Sequence, residues 1–299
     1  MKKLLCVLLA LLLIISIVGC SSNQEQKEDI ENLDMKKPKY MVMMEQGEFD
    51  EILCSGDGYH IVKKTEDNYD GYKVFFGVVD SEGNWNQPLS EEFIFAKAYK
   101  EKAKINLNMN SENFIYLGDG VFIASKCIIV QYPGRQEIVM QGSGSFRVVN
   151  EDCYFYNVKN KVQKEFEAEY LTPYVNGYML MSKSESAISP NPYFSIDEKG
   201  TISKLPCVID SWLHLNFSAY SDGVFFAEGK FFDIEGNVVL DISKYDLYGK
   251  EYGDSSEAPY FVDGKCTIKF RNDGGSLYKA VIDKQGNFVE EPTKIAETD

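Results

Sequence analysis

Through residues 40–299 the chain alternates short apolar runs with compact polar breaks. Runs such as Gly223-Val224-Phe225-Phe226-Ala227-Glu228 and Asn237-Val238-Val239-Leu240 are rich in β-branched and aromatic residues. They are too short for amphipathic helices and fit strands of four to eight residues. The breaks carry a pattern of their own. Asp-x-x-Gly follows an apolar run at Asp80–Gly83, Asp197–Gly200, Asp233–Gly236 and Asp283–Gly286. The Asp carboxylate can cap the turn, and Gly at the fourth position tolerates positive φ, which gives a type I turn with a bulge between two strands.

A second marker precedes these hairpins: Asp or Asn, then Gly, then an apolar alternation. It occurs at Asp57-Gly58, Asp119-Gly120, Asn176-Gly177, Asp222-Gly223 and Asp263-Gly264. The unit read from both markers is strand, turn, strand, Asp-x-x-Gly turn, strand. One such meander cannot bury both faces, whereas stacked or radially arranged copies can. The expected fold is all-β, a repeat of three- to four-stranded antiparallel meanders. A β-propeller is the first architecture expected and an elongated β-array its rival. Two stretches depart from the pattern. Ser90–Lys104 is charged and predicts a short helix starting at Ser90. Tyr132-Pro133-Gly134-Arg135 is a turn where Asp-x-x-Gly is expected.

The N-terminus follows different rules. Lys2 and Lys3 precede an apolar run from Leu4 to Val18, broken only by Ser16. That run is shorter than the roughly 20 residues a spanning helix needs and fits a secretory leader. It ends Ile17-Val18-Gly19-Cys20. These four residues resemble the lipobox of bacterial lipoproteins. The resemblance implies that Ile17, Val18 and Gly19 are signal-peptidase recognition positions and that Cys20 is lipidated, carrying diacylglycerol and often a further acyl chain such as palmitate. Residues 21–37 are polar and read as a solvated tether. The expected organisation is a leader over 1–19, lipidated Cys and tether over 20–39, and a β-repeat domain over 40–299. The expected location is the extracytoplasmic face of the cell membrane.

Within the domain, Phe76-Gly77-Val78-Val79-Asp80-x-x-Gly83-Asn84, with Pro88 following, resembles a WG (tryptophan–glycine) β-repeat in which Phe76 stands for the usual Trp. Tyr220–Val224 leading to Gly229–Gly236 is similar, and Lys279–Gly286 matches from its aliphatic pair onward. The Trp-Gly dipeptide itself is absent. The resemblance implies an extracytoplasmic β-repeat protein and carries over no catalytic residue.

Composition narrows the function classes. Hydrophobic residues are 44% and aromatics 13%, so a packed core is expected. Lys and Arg total 31 against 46 Asp and Glu, a net charge of −15. Such a balance opposes nucleic-acid binding, which needs basic patches. Loss of Lys2 and Lys3 with the leader makes the chain more acidic, and an anionic leaflet repels it, so the lipid must do the anchoring. The expected partners are the membrane, through the anchor, and a cell-surface protein or glycan. No cofactor and no metal are expected.

Candidate chemistry is sparse. There are two His, His60 and His214. Both lie among apolar or aromatic neighbours and read as satisfied core or edge residues. Gly142-Ser143-Gly144-Ser145 does not match Gly-x-Ser-x-Gly. Glu66–Gly71 spaces oxygen ligands like the start of a calcium loop, but position twelve is Gly77. Cys54, Cys127, Cys153, Cys207 and Cys266 are widely spaced, without CxxC, and read chiefly as small buried hydrophobes in strands, one disulfide remaining open. Tyr154-Phe155-Tyr156 and Tyr245–Tyr248 read as packing before ligand platforms. No catalytic residue is assigned. The functional expectation is a non-enzymatic binding or interaction module, with an envelope scaffold or a carbohydrate-active enzyme as alternatives. An exposed aromatic patch would mark the first; two carboxylates facing each other in a cleft would mark the last.

Overall fold

The computed structural model describes residues 37–69, 71–100, 111–130, 146–149, 152–183, 192–208, 218–247 and 258–295. The stretch read as a leader, the lipobox-like residues Ile17, Val18, Gly19 and Cys20, and the stretch read as a tether up to residue 36 lie outside the described residues, as do His214, Gly142–Ser145 and Tyr132–Arg135. Residues Pro38–Asp299 form one compact unit.

The fold is all-β, built of small antiparallel meanders of three to five strands. The first contains β1 (Glu51–Gly56), β2 (Tyr59–Asn68), β3 (Gly71–Asp80) and β4 (Trp85–Ser90), hydrogen-bonded in that order. The second contains β5 (Ser111–Gly118), β6 (Val121–Val130), a third strand in two pieces, β7 (Phe146–Val149) and β8 (Asp152–Asn157), and β9 (Val162–Glu167). Strand β6 pairs with β8 over its first half and with β7 over its second. The third contains β10 (Tyr170–Leu171), β11 (Tyr178–Ser182), β12 (Pro192–Asp197) and β13 (Ile202–Val208). Because β10 pairs with β7, the second and third meanders share one hydrogen-bonded sheet. The fourth runs from a bridge at Ser221 through β14 (Phe225–Ala227) and β15 (Lys230–Phe232) to β16 (Val238–Asp241). The short β17 (Asp246–Leu247) leads to the fifth: β18 (Phe261–Val262), β19 (Lys265–Arg271), β20 (Leu277–Asp283) and β21 (Phe288–Lys294).

Both markers sit where the sequence places turns. At all five Asx-Gly sites both residues have positive φ, from 49° at Asp57 to 85° at Gly223. That is the type I′ geometry whose twist matches a two-stranded ribbon. At Asp80 the main-chain nitrogen donates to the Asn84 carbonyl at 3.0 Å and Oδ1 accepts the Glu82 and Asn84 amides at 2.9 and 2.8 Å. The same amide bonds recur at Asp197 and Asp283. The three-strand unit read from sequence omits one hairpin. Strands two and three of each meander are joined by a connection without a common motif: Tyr69 and Asp70 in the first, Glu228-Gly229 in the fourth, Asn272–Ser276 in the fifth. In the second meander the Asp-x-x-Gly role falls to Asn157–Lys161, where Asn157 Oδ1 accepts the Lys159 amide at 2.9 Å and Lys161 takes φ 56°.

Burial follows period two on both faces. In β2, Ile61 faces the second meander, whereas Val62 faces α1 (Lys39–Glu45), which also buries Met43 against Phe49 and Val79. Tyr154 and Tyr156 pack toward the first meander, Cys153 and Phe155 toward the third. Met179 and Met181 point back to the second, while Leu180 and Tyr193 meet Phe225 and Ala227 of the fourth. Phe226 and Phe231 meet Cys266, Ile268 and Ile282 of the fifth. The meanders thus pack face to face in chain order. Among the described residues no core cluster joins the fifth meander to the first, and no closed ring is shown. The helix expected from Ser90 begins later, as α2 (Phe95–Lys100). Phe93, Ile94, Phe95, Ala96 and Ala98 are buried between the first two meanders, so packing and not local periodicity sets its position.

Candidate interaction surface

The paired turns put chemistry on one edge. In an a-b-c-d meander the a–b and c–d turns lie at the same end of the sheet. That end of each meander therefore carries an Asx-Gly turn beside an Asp- or Asn-led turn. Tyrosines interleave with them. Tyr116 bonds across to Asp57 of the first meander, and burial followed by that bond pushes its phenol up. Tyr174 is 2% exposed and its hydroxyl has no partner in the structure; burial, then Asp119, Glu198 and Asp197, raise it. Tyr220 is raised by burial, with Tyr178, Glu235 and Asp233 adding to it. The edge is anionic, yet the turn carboxylates are already used. Asp233 is held below the ordinary carboxylate range by Asn237, and Asp283 by the Asn287 amide and side chain. Asp119 pairs with Lys159, and Asp222 Oδ2 accepts the Gly264 amide at 2.6 Å. Asp233, Asp283 and Asp119 are thus engaged within their own meanders, and Asp222 ties the fourth meander to the fifth.

His60 lies on this edge, and its partners define its state. Ser55 Oγ is 2.8 Å from Nδ1 and Ser81 Oγ is 3.4 Å from Nε2. Ser81 gives its own proton to the Gly58 carbonyl at 3.0 Å. Nε2–H therefore donates to Ser81, and Nδ1 accepts from Ser55. The ring stacks on Tyr40 of α1 at 3.8 Å. Burial lowers its pKa from 6.5, opposed by the Asp80 charge. A neutral imidazole beside a hydroxyl is the geometry of a nucleophile and its base. Here the second nitrogen meets a hydroxyl and no carboxylate, and the ring is covered by Tyr40. The arrangement serves to fasten α1 to the first sheet.

The opposite end of the first meander is different. Lys64–Asn68 and Gly71–Phe75 pair only with each other, because β1 reaches Lys63 and β4 reaches Phe76. The ribbon extends past its sheet, and Tyr69 and Tyr72 at its tip are 102% and 71% exposed. No other described aromatic approaches this exposure. Glu66 and Asp67 lie on the same ribbon, opposite Lys73 and Tyr72. Of the calcium-like stretch Glu66–Gly71, Glu66, Asp67 and Asn68 end β2 and Gly71 begins β3, and among the described residues no group of three or more His, Cys, Asp or Glu is placed to hold a metal.

The remaining sequence candidates fall as follows. Tyr154, Phe155 and Tyr156 are core, and Tyr245 packs on Phe270. Cys153 and Cys266 are buried, Cys54 is half-buried, and Cys127 and Cys207 lie on β6 and β13. Burial pushes the Cys266 thiol up to about 12. The exposed tyrosine pair was not singled out in the sequence; its only signal is two Tyr flanking an Asp-Gly at a hairpin tip. No protein-family model matches the chain, and no curated protein matches it.

Proposed function

We propose that the chain is a lipid-anchored, non-enzymatic binding module held at the extracytoplasmic face of a bacterial membrane, built on a degenerate WG-type repeat. The observation that carries the binding role is the tyrosine-tipped ribbon of the first meander. The exposed pair joins no core cluster, and tyrosine is a favoured contact residue because it offers large, stiff, amphipathic area. The anchor rests on the Ile17–Cys20 lipobox and the leader before it. No described helix is long and apolar enough to cross a membrane.

The position of the ribbon suits a tethered receptor. The chain enters the compact unit at the turn edge, where Lys39 pairs with Glu82 at 3.8 Å and Tyr40 stacks on His60. From there β2 runs about 30 Å to the tip, at roughly 3.3 Å per residue. Entry point and tip lie at opposite ends of the same sheet.

Two measurements test the reading. Mass spectrometry of the native protein should give the chain from Cys20 plus diacylglycerol, and Cys20→Ala should lose both the added mass and membrane retention. An unmodified full-length mass refutes the anchor. A Tyr69→Ser/Tyr72→Ser chain should fold and stay at the membrane yet reproduce the phenotype of deleting the protein. Wild-type behaviour of that variant refutes the ribbon as the working surface.

A further inference from the structure

The Asp-x-x-Gly turn of the first meander rests on a helix where others rest on a strand. In the third and fifth meanders a Cβ at the turn glycine would meet the last strand of the preceding meander: Val162 Cγ1 on β9 at 2.9 Å from Gly200, and Leu240 Cδ1 on β16 at 2.9 Å from Gly286. At Gly83 it would meet α1, with Lys39 Cβ at 3.0 Å and Met43 Sδ at 3.2 Å. Strands β9 and β16 are fixed by main-chain bonds to β8 and β15. α1 is held to the first sheet through side chains: Met43 lies among Phe49, Val62 and Val79, Tyr40 stacks on His60, and Lys39 pairs with Glu82.

α1 is a poor helix on its own terms. Its seven residues fall short of the roughly 12–15 at which an isolated helix becomes marginal. No side chain caps its start, and Lys39 in the first turn and Glu45 in the last run against the helix dipole. Its place therefore depends on what it buries. Three of its seven residues are methionine: Met41, Met43 and Met44. Met43 is 8% exposed, and Met44 packs half-buried on the same cluster. A thioether fills such a gap well, but oxidation turns it polar. A sulfoxide oxygen in this cluster would need a hydrogen-bond donor, and its only side chains with one are Tyr40 and Trp85.

We infer that Met43 and Met44 form an oxidation site at which a peroxide releases α1 from the first meander. The thioether sulfur gives an electron pair to one peroxide oxygen. The S–O bond forms as the O–O bond breaks, and the departing hydroxide takes a proton to become water. The sulfur is oxidised by two electrons and the peroxide is reduced. Methionine sulfoxide reductases supplied with a dithiol reverse the step: the oxygen leaves as water and the dithiol becomes a disulfide. Once released, α1 no longer holds the entry of the chain to the turn edge, and residues 38–48 become slack between the domain and what precedes it. The inference is independent of the lipid anchor and of the tyrosine ribbon.

The test treats the full-length chain in neutral detergent with hydrogen peroxide. Peptide mass locates the sulfoxides, and hydrogen–deuterium exchange reads the helix. Met43 and Met44 should oxidise before Met179 and Met181, which are 0% and 2% exposed on a paired strand. The Gln46, Gly47 and Glu48 amides donate to the Val42, Met44 and Met43 carbonyls at 2.9, 3.0 and 3.0 Å. After oxidation they should exchange about tenfold faster, while β2 and β3 keep their protection. Met43→Gln should loosen the same amides without peroxide, with β2 and β3 again protected. Met43→Leu/Met44→Leu should keep them protected with and without it, since Leu and Met are close in volume. Reduction of the sulfoxides should restore protection. Unchanged exchange after both sulfurs are oxidised overturns the inference, as does oxidation of Met179 and Met181 first. So does peroxide-dependent loosening of the Leu variant, or protection that stays lost once the sulfoxides are reduced.

Discussion

Two glycines separate the cost of a turn from the cost of a contact between meanders. Gly177, in the third Asx-Gly turn, has φ +84° and open space where a Cβ would stand. Gly200, in the third Asp-x-x-Gly turn, has φ +74°, but a Cβ there would sit 2.9 Å from Val162 Cγ1 on β9 of the second meander. Alanine at Gly177 meets only the left-handed backbone penalty of about 1–2 kcal/mol, offset by about 0.4–1 kcal/mol from a stiffer unfolded chain. The net loss is about 1 kcal/mol. Gly200→Ala adds overpacking of about 1–3 kcal/mol, because Val162 is a stiff β-branched residue on a paired strand. Its total is about 2–4 kcal/mol. Urea unfolding followed by circular dichroism reads both, with the midpoint shifting and the slope unchanged. In a domain of this size each kcal/mol corresponds to roughly 2–4 °C in Tm. Val162→Ala introduced into Gly200→Ala should recover about 1 kcal/mol relative to additive losses, the coupling expected of residues in contact. Equal losses at the two glycines, or strict additivity in the cycle, would refute the packing of the third meander's turn against the second meander.

Three further outcomes follow from the same structure. His60 has a folded pKa below 6.5, so the unfolded state binds more protons; its contribution is fully present above pH 6.5 and is lost as pH falls from there through the lowered value. His60→Gln should flatten that part of the stability–pH curve, leaving the later acid loss from Asp233 and Asp283, whose depressed values protect the fold above about pH 3.9. Cys266, fully buried with its thiol pushed up to about 12, should resist iodoacetamide at pH 8 in the native protein and react on unfolding, as read by peptide mass; native labelling contradicts the placement of β19. Phe76→Ala should cost about 3–5 kcal/mol, because its ring is fully buried against Tyr99 and Phe114, whereas Tyr69→Ala should change stability by less than about 0.5 kcal/mol in the same melts.

The local grammar of the fold was legible because turn chemistry is local. Asx-Gly supplies consecutive positive-φ residues, and Asp-x-x-Gly supplies its own acceptor and its own left-handed residue. Neither needs the rest of the chain, and both appear where the residues occur. The missing hairpin was not legible for the same reason. Its connections, from Glu228-Gly229 to the long segment after Val130, share no residue pattern, so the strand count of the unit stayed between three and four. The site was harder still. Tyr154-Phe155-Tyr156 and Tyr69-Asp70-Gly71-Tyr72 each carry two closely spaced tyrosines, yet the tyrosines of the first are core and those of the second are the most exposed described aromatics.

The sequence by itself determined the recurring turns and the all-β class, since each depends on residues within a few positions of one another. Tertiary structure alone decided which faces are covered. A meander with apolar residues on both faces is buried by whichever neighbours stack on it, and that depends on chain order and not on its own pattern. It also decided that α1 caps the first sheet through Tyr40 on His60 and that the ribbon of the first outruns its neighbours. Those are facts of where one strand stops relative to the next, and no local pattern records them.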